Sequence, residues 1–386
     1  MHFGDLQNQI YFAGLTGVLP QWPVDFATLE RRAAAAIPPH LLSYVQGGCG
    51  DEWTQDENAR AFRHWGMVPR MMVDARARDL SCELFGMTLA APVFMAPIGV
   101  TGMMTQDGHG DLAAARASAA TGVPLTASTL SNDPLEDVAA TCGDTPGMFQ
   151  LYTPKDEELA ASLVGRAEAA GYRALMVTLD TWVTGWRPRD LNTSSFPQLR
   201  GHVLENYRSD PRFQALTGGS DDPKTTVMTW AGTFGRVLTW DDLPWLKSLT
   251  RLPIVLKGIC HPDDARRAID GGADGIYVSN HGGRQANGGI AAIDLLPDVA
   301  EAVAGQVPVL FDNGVRSGTD VIKAIALGAD AVGIGRPYSY GLALGGAEGC
   351  AQVLRCILAE ADLLMAVNGW PTLAAVREAG ARRTDR

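Results

Sequence analysis

The chain has 386 residues, 46% of them hydrophobic, and a formal net charge of −11 without any dense cluster of lysine and arginine. This acidic balance argues against nucleic acid as a partner, because binding to phosphates needs a basic surface. No apolar run reaches the roughly 18 residues that a membrane-spanning helix requires, so we expect a globular protein without a membrane partner.

The first 90 residues precede any regular alternation of apolar and polar segments. Residues 1–5 lack the charged-then-apolar layout of a signal peptide. The cysteines show no CxxC pair and no spacing typical of zinc ligands, so we expect reduced thiols, no metal site and a cytoplasmic location. Residues 1–90 are expected to form a leading segment with two helical stretches. The six cysteines are Cys49, Cys82, Cys142, Cys260, Cys350 and Cys356.

From about residue 90 onward, short apolar runs alternate with helix-like segments that end in glycine. Continuous rather than alternating hydrophobicity predicts strands buried on both faces of a parallel sheet. Eight such βα units predict an α/β fold, a closed (β/α)8 TIM barrel over about residues 91–345, within a single domain spanning 1–386. A doubly wound open sheet is the alternative, but no GxGxxG follows the first strand. The runs are Val93–Ala96, Leu125–Ser128, Met148–Tyr152, Ala174–Asp180, Ile254–Gly258, Gly275–Asn280, Val309–Gly314 and Ala331–Gly335.

Three segments lie outside this alternation. Leu80–Leu89, with a turn at Phe85-Gly86, predicts a hairpin that caps the N-terminal mouth of the barrel. Residues 191–238, between the fourth and fifth barrel strands, are polar with little helical pattern, and a loop of that length predicts a lid or partial disorder. The tail over residues 348–368 predicts an amphipathic helix packed on the barrel exterior.

Barrel enzymes carry their chemistry at the carboxyl ends of the strands, where this chain places many polar residues. Lys257 lies inside an apolar run, which is costly unless it faces an anion, a polar ligand or an ion-pair partner. A neutral imidazole at His281 can accept a proton near pH 7, and a guanidinium at Arg284 can hold a carboxylate. Their loop therefore predicts a base beside an anchored acid, the alternative being an incidental strand-to-helix turn.

The last two barrel strands carry a signal for phosphate. Residues 314–318 and 333–336 each combine glycine with an arginine, and in many barrels the loops after strands seven and eight bind phosphate through backbone N–H groups. The two segments, one βα unit apart, predict a phosphorylated cofactor or substrate. The residues concerned are Gly314, Arg316, Gly335 and Arg336.

Together these motifs resemble the FMN-dependent 2-hydroxy acid oxidase and dehydrogenase family, over Tyr44 to about residue 370. The resemblance rests on SNHGGRQ at residues 279–285, which is highly specific, and on LKG at 256–258, FQLY at 149–152, TLDT at 178–181 and GRP at 335–337. GWRPRD at 185–190 and GGRQANGG at 282–289, with the opening of the chain, are more similar to the lactate 2-monooxygenase branch of that family.

The resemblance implies a role for each catalytic residue. His281 would be the base that takes the substrate's proton, and Asp180 would stabilise the imidazolium that forms. Two arginines would clamp the substrate carboxylate with help from a tyrosine hydroxyl. Tyr152 would hydrogen-bond the oxygen that becomes a carbonyl. The residues implied to bind the substrate are Tyr44, Tyr152, Arg187 and Arg284.

The resemblance also implies FMN as the cofactor. Lys257 would stabilise the reduced flavin at its N1–C2 edge, and the backbone N–H of Gly99, after Ile98, would lie near N5. Asp312 would bind the ribityl chain. The residues implied to bind the flavin's pyrimidine part are Ser128, Gln150 and Thr178, with Ser279 also at the cofactor. The residues implied to hold its phosphate are Gly314, Arg316, Gly335 and Arg336.

Two positions depart from the pattern of the plant-type glycolate oxidases. Gly99 replaces their usual alanine and would leave a small space beside the flavin N5. Leu130 stands where they have a tryptophan, which implies a differently shaped pocket. The polar character of residues 191–238 argues against the membrane-binding insert of the mandelate dehydrogenases.

The resemblance implies oxidation of a lactate-like (S)-2-hydroxy acid with O2, followed by oxidative decarboxylation of the bound 2-oxo acid. The alternatives are an oxidase that releases the 2-oxo acid and H2O2, and a dehydrogenase that uses another electron acceptor. A phosphate-binding barrel without flavin and a non-catalytic flavin-binding scaffold are the remaining ones. Relatives of this family also imply a homotetramer or homo-octamer.

Overall fold

The predicted apolar runs form a closed parallel barrel in the computed structural model, which describes residues 2–384. Neighbouring strands of the eight-stranded sheet follow the chain, and the first strand pairs with the last. A parallel bridge between Met95 and Leu125 joins the two remaining edges. The strands are β1 (Trp65–Gly66), β2 (Cys82–Leu84), β3 (Met87–Leu89), β4 (Val93–Met95), β5 (Thr126–Ser128), β6 (Met148–Leu151), β7 (Leu175–Thr178), β8 (Ile254–Ile259), β9 (Gly275–Val278), β10 (Val309–Phe311), β11 (Ala331–Ile334) and β12 (Arg382–Arg383).

The (β/α)8 barrel predicted from the sequence is therefore confirmed, and β4 to β11 are its eight strands. Each strand is slightly shorter than its apolar run, except β8, because the last residues of most runs turn outward into the loops that carry polar side chains. The helices are α1 (Asp5–Gly14), α2 (Phe26–Ala36), α3 (Pro39–Gln46), α4 (Trp53–Arg60), α5 (Gly110–Thr121), α6 (Leu135–Thr141), α7 (Glu157–Ala169), α8 (Pro188–Thr193), α9 (Glu205–Arg208), α10 (Pro211–Leu216), α11 (Pro223–Thr233), α12 (Leu243–Ser248), α13 (Pro262–Asp270), α14 (Ala292–Val303), α15 (Gly318–Ala326), α16 (Arg336–Asn368) and α17 (Leu373–Ala379).

The hairpin of β2 and β3 closes the N-terminal end of the barrel, as predicted. Its apolar side chains Leu84, Met87 and Leu89 join a buried cluster with residues that point into the barrel from its strands. Phe85 packs at the same end, where a Cβ on Gly275 would lie 2.9 Å from its ring. The hairpin leaves only the carboxyl ends of the strands open, so the site must lie there.

The segment before the barrel contains four α-helices rather than the two that the sequence predicts. Short helices explain the difference, since α3 and α4 have eight residues each and give little periodic signal. Residues 191–238, where the sequence shows little helical pattern, also contain the helices α9, α10 and α11. There Asp210 and Asp222 accept hydrogen bonds from backbone N–H groups of α10 and α11, each of which begins with proline.

The predicted C-terminal helix follows a break within α16. α16 covers the expected residues 348–368 but begins at Arg336, directly after β11, and has non-helical backbone angles at Gly345 and Gly346. Trp22 packs against Gly345 so closely that a Cβ there would overlap the indole. After α16 the chain adds α17 and then β12, which pairs antiparallel with β1; neither was predicted.

Membrane-spanning helices, metal-ligand clusters and disulfide bonds were sought among the described residues because each would indicate a class of function. No helix in residues 2–384 is both long and apolar enough to cross a membrane. No group of three or more His, Cys, Asp or Glu side chains in this part of the chain is arranged to hold a metal ion. All six cysteines are free thiols.

Candidate active site

A cavity lies at the carboxyl ends of the barrel strands. It is bounded by the loops after the strands, by α3, and by part of the segment over residues 191–238. Most of the predicted site residues line it. They are Tyr44, Ile98, Gly99, Tyr152, Arg187, Lys257, His281, Arg284, Asp312, Gly314, Arg316, Gly335 and Arg336.

His281 and Asp180 form a hydrogen-bonded pair beside this cavity. Asp180 follows β7, and its Oδ1 lies 2.8 Å from Nδ1 of the His281 ring, while Thr181 Oγ1 lies 3.2 Å from the same nitrogen. A carboxylate at Nδ1 favours the tautomer that leaves Nε2 free to accept a proton. The arrangement suits a general base with an orienting carboxylate.

Burial and charge set the protonation of this pair. Burial lowers the pKa of His281, and Lys257 adds to this, while the charge of Asp180 opposes it. Burial alone would raise the pKa of Asp180, but the charge and hydrogen bond of His281, with Lys257, hold it well below its usual range. At neutral pH the site therefore offers a neutral imidazole next to a carboxylate.

The turn that holds His281 depends on glycine. The backbone of His281, Gly282 and Gly283 has φ angles of 57°, 66° and 72°, in the left-handed region. A Cβ at Gly283 would also lie 2.5 Å from the backbone nitrogen of Gln55. The glycines of the SNHGGRQ motif thus shape the loop that directs the imidazole toward the cavity.

Arg187 and Arg284 converge on the cavity from two different loops. Arg187 is 4% exposed, and its Nε donates to the carbonyl of Arg284 at 2.9 Å. Arg284 Nη1 donates to the carbonyls of Tyr44, at 2.6 Å, and of Gly47. Burial, then the charge of Arg187, lower the pKa of Arg284 to about 9.

These two guanidiniums lack a carboxylate partner. Within residues 2–384 neither forms an ion pair, although the ring of Tyr44 lies 4.9 Å from the guanidinium carbon of Arg284 and 5.7 Å from that of Arg187. A buried and a half-buried cation, with no carboxylate in direct contact, are stabilised by an anion that binds between or beside them. The substrate carboxylate predicted from the sequence fits this need.

Gln285 is a functional candidate that the sequence reasoning left without a role. Its Nε2 donates to the carbonyls of Asp180 and Val183 at 2.7 and 2.8 Å, and its Oε1 accepts from Arg187 Nη2 at 2.5 Å. One amide thus ties the loop that carries Asp180 to the side chain of Arg187. Its place in SNHGGRQ was the signal that could have found it.

The other end of the cavity is built around Lys257 and Asp312. Lys257 Nζ donates to Ser279 Oγ at 3.0 Å and lies 3.9 Å from Asp312 Oδ2. Asp312 Oδ2 also accepts from Tyr277 at 3.0 Å, while its buried Oδ1 has no hydrogen-bond partner. A buried, unpartnered carboxylate oxygen requires a donor such as the hydroxyl of a sugar-like chain.

Ser128, Gln150 and Thr178 form a hydrogen-bonded row at the ends of β5, β6 and β7. Ser128 Oγ donates to Gln150 Oε1 at 2.8 Å, and Gln150 Nε2 donates to Thr178 Oγ1 at 3.0 Å. Each of the three is buried at these strand ends. The structure therefore brings the predicted pyrimidine-binding residues together, as a row of neutral donors and acceptors.

Arg316 and Arg336 supply positive charge after β10 and β11. Burial lowers the pKa of both guanidiniums, that of Arg336 to about 10. Gly314, with φ of 73°, is required because a Cβ there would overlap the carbonyl of Asn58. With the buried Lys257, the half-buried Arg316 and Arg336 give three cations along this half of the cavity, where Asp312 is the carboxylate among the described lining residues, and this suits a bound phosphate.

Leu130 narrows the space that the sequence predicts at Gly99. A Cβ built on Gly99 would lie 3.1 Å from Leu130 Cδ1 and 3.2 Å from Leu130 Cβ. The gap left by glycine is thus bounded by leucine on one side. The two departures from the oxidase pattern are therefore in contact with each other.

Residues 191–238, predicted to form a lid or a partly disordered loop, contribute a wall of the cavity, although the sequence did not indicate which side chains form it. The sequence pattern that could have indicated this wall is the spacing of Trp230 and Phe234, two apolar residues four positions apart in a polar segment. Trp182 and Trp186, in the loop after β7, do not belong to this wall and are 51% and 71% exposed. The cavity residues from this segment are Phe196, Gln198, Trp230 and Phe234.

Comparison with known proteins decides the family. The family model described as FMN-dependent dehydrogenase matches residues 33–383. The chain belongs to this family. It is 41% identical to the FMN-dependent alpha-hydroxy acid dehydrogenase qulF of Penicillium citrinum, over 97% of this chain and 94% of the relative. It is also 41% identical to an L-lactate oxidase of Lysinibacillus sphaericus, over 92% of each chain.

Solved structures of this family agree with the fold. A lactate oxidase from Pediococcus acidilactici superimposes with a TM-score of 0.84 at 37% identity, covering 94% of this chain and 95% of the other. A mandelate oxidase with benzoyl-formic acid gives 0.83 at 35% identity, covering 94% and 99%. The chain is an FMN-dependent 2-hydroxy acid oxidoreductase, and FMN is its cofactor.

The residues present fit this cofactor. Lys257, Arg316 and Arg336 match a phosphorylated group, the free Oδ1 of Asp312 matches a hydroxylated chain, and the row through Gln150 matches a ring with alternating donors and acceptors.

The pH dependence of substrate oxidation tests the base assignment. His281 must be neutral to accept a proton, so activity is present above its pKa and is lost as pH falls through it. Asp180 raises that pKa, so Asp180→Asn should move the acid limb of kcat/KM down by about one pH unit. The exposed Asp221→Asn is the matched control and should leave the limb in place. An unmoved or upward-shifted limb in Asp180→Asn would refute the pairing.

Proposed function

We propose that the chain oxidises an (S)-2-hydroxy acid, lactate being the first candidate, with O2 and decarboxylates the resulting 2-oxo acid while it is still bound. The observation that carries the oxidation is the position of the His281–Asp180 pair and the unpaired Arg187 and Arg284 on one cavity. A base and a carboxylate clamp within one cavity allow a hydroxyl proton to be removed from an acid held in a fixed pose.

Each of these residues has a role in substrate binding or proton transfer that follows from its chemistry. Arg187 and Arg284 bind the substrate carboxylate, and Nε2 of His281 takes the proton of the 2-hydroxyl. Asp180 stabilises the positive charge that the imidazole then carries. Tyr152, whose pKa is raised by burial, stays protonated and donates to the substrate oxygen. Bound FMN supplies the acceptor for the two electrons that leave the substrate carbon.

Decarboxylation requires that the 2-oxo acid stays in the cavity until O2 has reacted. Support for this outcome comes from the resemblance of residues 185–190 and 282–289 to the monooxygenase branch and from the wall that residues 191–238 place over the site. The balanced reaction is lactate plus O2 to acetate, CO2 and water. The competing outcomes, release of 2-oxo acid with H2O2 or transfer to another acceptor, depend on how fast product leaves.

Product stoichiometry with purified holoenzyme tests this proposal. With lactate, we expect about one CO2 and one acetate per O2 consumed and little free H2O2. One H2O2 and one pyruvate per O2 would show an oxidase, and rapid flavin reduction with negligible O2 uptake would show a dehydrogenase. A flavin-containing protein that no 2-hydroxy acid reduces would show a non-catalytic scaffold. Each of the last three results contradicts the proposal.

We further propose a homo-oligomer, a tetramer or octamer, in the cytoplasm. Exposed apolar side chains support self-association, because monomers rarely leave such groups in contact with water in number. They lie on α1, at Phe12, directly after it, at Leu15, and on the loop after β7, at Trp182 and Trp186. The free thiols support a reducing compartment.

A further inference from the structure

The turn that carries His281 has a backbone conformation that its surroundings must hold in place. His281 has a φ of 57°, in the left-handed region, where residues other than glycine are uncommon. A residue in such a conformation persists only when surrounding contacts fix it. Three of the four backbone N–H groups of residues 281–284 donate to acceptors within residues 279–281, so they stabilise the turn only locally.

Asn313 is the acceptor of the fourth N–H group and joins this turn to a different strand end. Its Oδ1 accepts from the backbone N–H of Gly282, and its Nδ2 donates to Ser279 Oγ at 3.4 Å. Asn313 follows β10 and lines the cavity, whereas the turn follows β9. One side-chain amide therefore holds the turn from outside, at the residue directly after His281.

The backbone of Asn313 is suited to this link. Its φ is 89°, also left-handed, and asparagine adopts that region more readily than most residues. The next residue, Gly314, has a φ of 73° and begins the segment with Arg316 that suits a phosphate. Ser279 Oγ also accepts from Lys257 Nζ at 3.0 Å. Asn313 thus connects the turn of the base with the two cationic parts of the cofactor site.

We propose that Asn313 is a positioning residue for the base: its amide holds the left-handed turn, so that the imidazole of His281 faces the substrate hydroxyl. This rests on the proposed function, in which His281 takes the hydroxyl proton. Asn313 acts through His281 and does not take part in the proton transfer itself. The carboxylate clamp does not depend on it, because Arg284 is held by the carbonyls of Tyr44 and Gly47.

Asn313→Gly isolates the contribution of the side chain, because glycine keeps the left-handed backbone. Anaerobic flavin reduction by (S)-lactate and by (S)-mandelate is measured on the holoenzyme over a range of substrate concentrations. The limiting rate with the faster acid should fall about 10- to 100-fold, as expected for a catalytic group displaced by up to about 1 Å. The dissociation constant of the substrate should stay within about threefold of the wild-type value, and the flavin spectrum should show that FMN is retained.

Asn313→Asp is the conservative variant. Its carboxylate still accepts from the N–H of Gly282 and can accept from the hydroxyl of Ser279, so the limiting rate should return to within about fivefold of the wild type. Ala304→Gly is the matched control, since Ala304 is an exposed residue with a φ of 52° between α14 and β10, at the opposite end of the barrel. It should reduce the flavin at the wild-type rate.

A double-mutant cycle separates positioning from general damage. In a His281→Ala background, Asn313→Gly should change the limiting rate by less than about twofold, because no imidazole remains to be positioned. Equal losses with and without His281, an unchanged rate in Asn313→Gly, loss of FMN, or failure of Asn313→Asp to recover the rate would each overturn the inference. A wild-type rate in His281→Ala alone, or no reduction by either acid, would instead refute the proposed function.

Discussion

Replacing His281 with alanine should lower the rate of flavin reduction by the substrate about 10³- to 10⁴-fold, near the upper end of what a positioned base contributes. The loss follows from the geometry: the imidazole on the cavity is held by Asp180 at 2.8 Å. FMN should remain bound, because the residues that fit its phosphate lie after β10 and β11. Stopped-flow absorbance under anaerobic conditions measures the rate, and the flavin spectrum measures the content.

His40→Ala is the matched control, since His40 is an exposed histidine on α3. It should reduce the flavin at the wild-type rate. Reduction by His281→Ala within a factor of ten of the wild type would contradict the base assignment. Loss of FMN together with loss of rate would call for His281→Asn, which keeps a polar side chain; a wild-type rate there would contradict it equally.

Replacing Arg284 with lysine should lower kcat/KM for a 2-hydroxy acid by about 10²- to 10³-fold, with most of the loss in KM. Lysine keeps the charge but not the planar fork that can donate to the substrate carboxylate and to the carbonyl of Tyr44 together. Steady-state kinetics give the value, and the methyl ester of the same acid provides the contrast. The ester lacks the carboxylate, so its already slow reaction should change far less.

The matched control is Arg116→Lys, at an exposed arginine on α5, far along the chain from both loops. It should leave kcat/KM within about twofold of the wild type, as is usual for surface changes. An equal loss on the acid and on its ester in Arg284→Lys would show that the arginine supports the loop and does not bind the carboxylate.

The barrel could be predicted because burial on both faces of a strand leaves a continuous apolar run in the sequence. All eight runs became strands, and Phe85-Gly86 became the hairpin turn. The helices of residues 191–238 could not be predicted in the same way. They have four to eleven residues, and the aspartate and proline residues that start α10 and α11 are equally typical of turns.

The catalytic residues could be placed because they sit in short, specific motifs at strand ends. His281 and Arg284 share one loop, and Lys257 stands out as a charge in an apolar run. The wall with Phe196 and Gln198 has no such signal, because it depends on how a long insertion folds back over the mouth. The contact between Gly99 and Leu130 is likewise a matter of packing between two loops that no sequence pattern links.

The central claim is that this cavity removes a proton and two electrons from an (S)-2-hydroxy acid. The most direct test mixes the holoenzyme, without oxygen, with each enantiomer of lactate and of mandelate. Flavin absorbance is followed over time, and the product is identified by mass spectrometry. The (S) acids should bleach the flavin and yield one 2-oxo acid per flavin, and the (R) acids should not. If the flavin of the FMN-bound enzyme is bleached by neither enantiomer of these acids, or is bleached faster by the (R) acids, the account is contradicted.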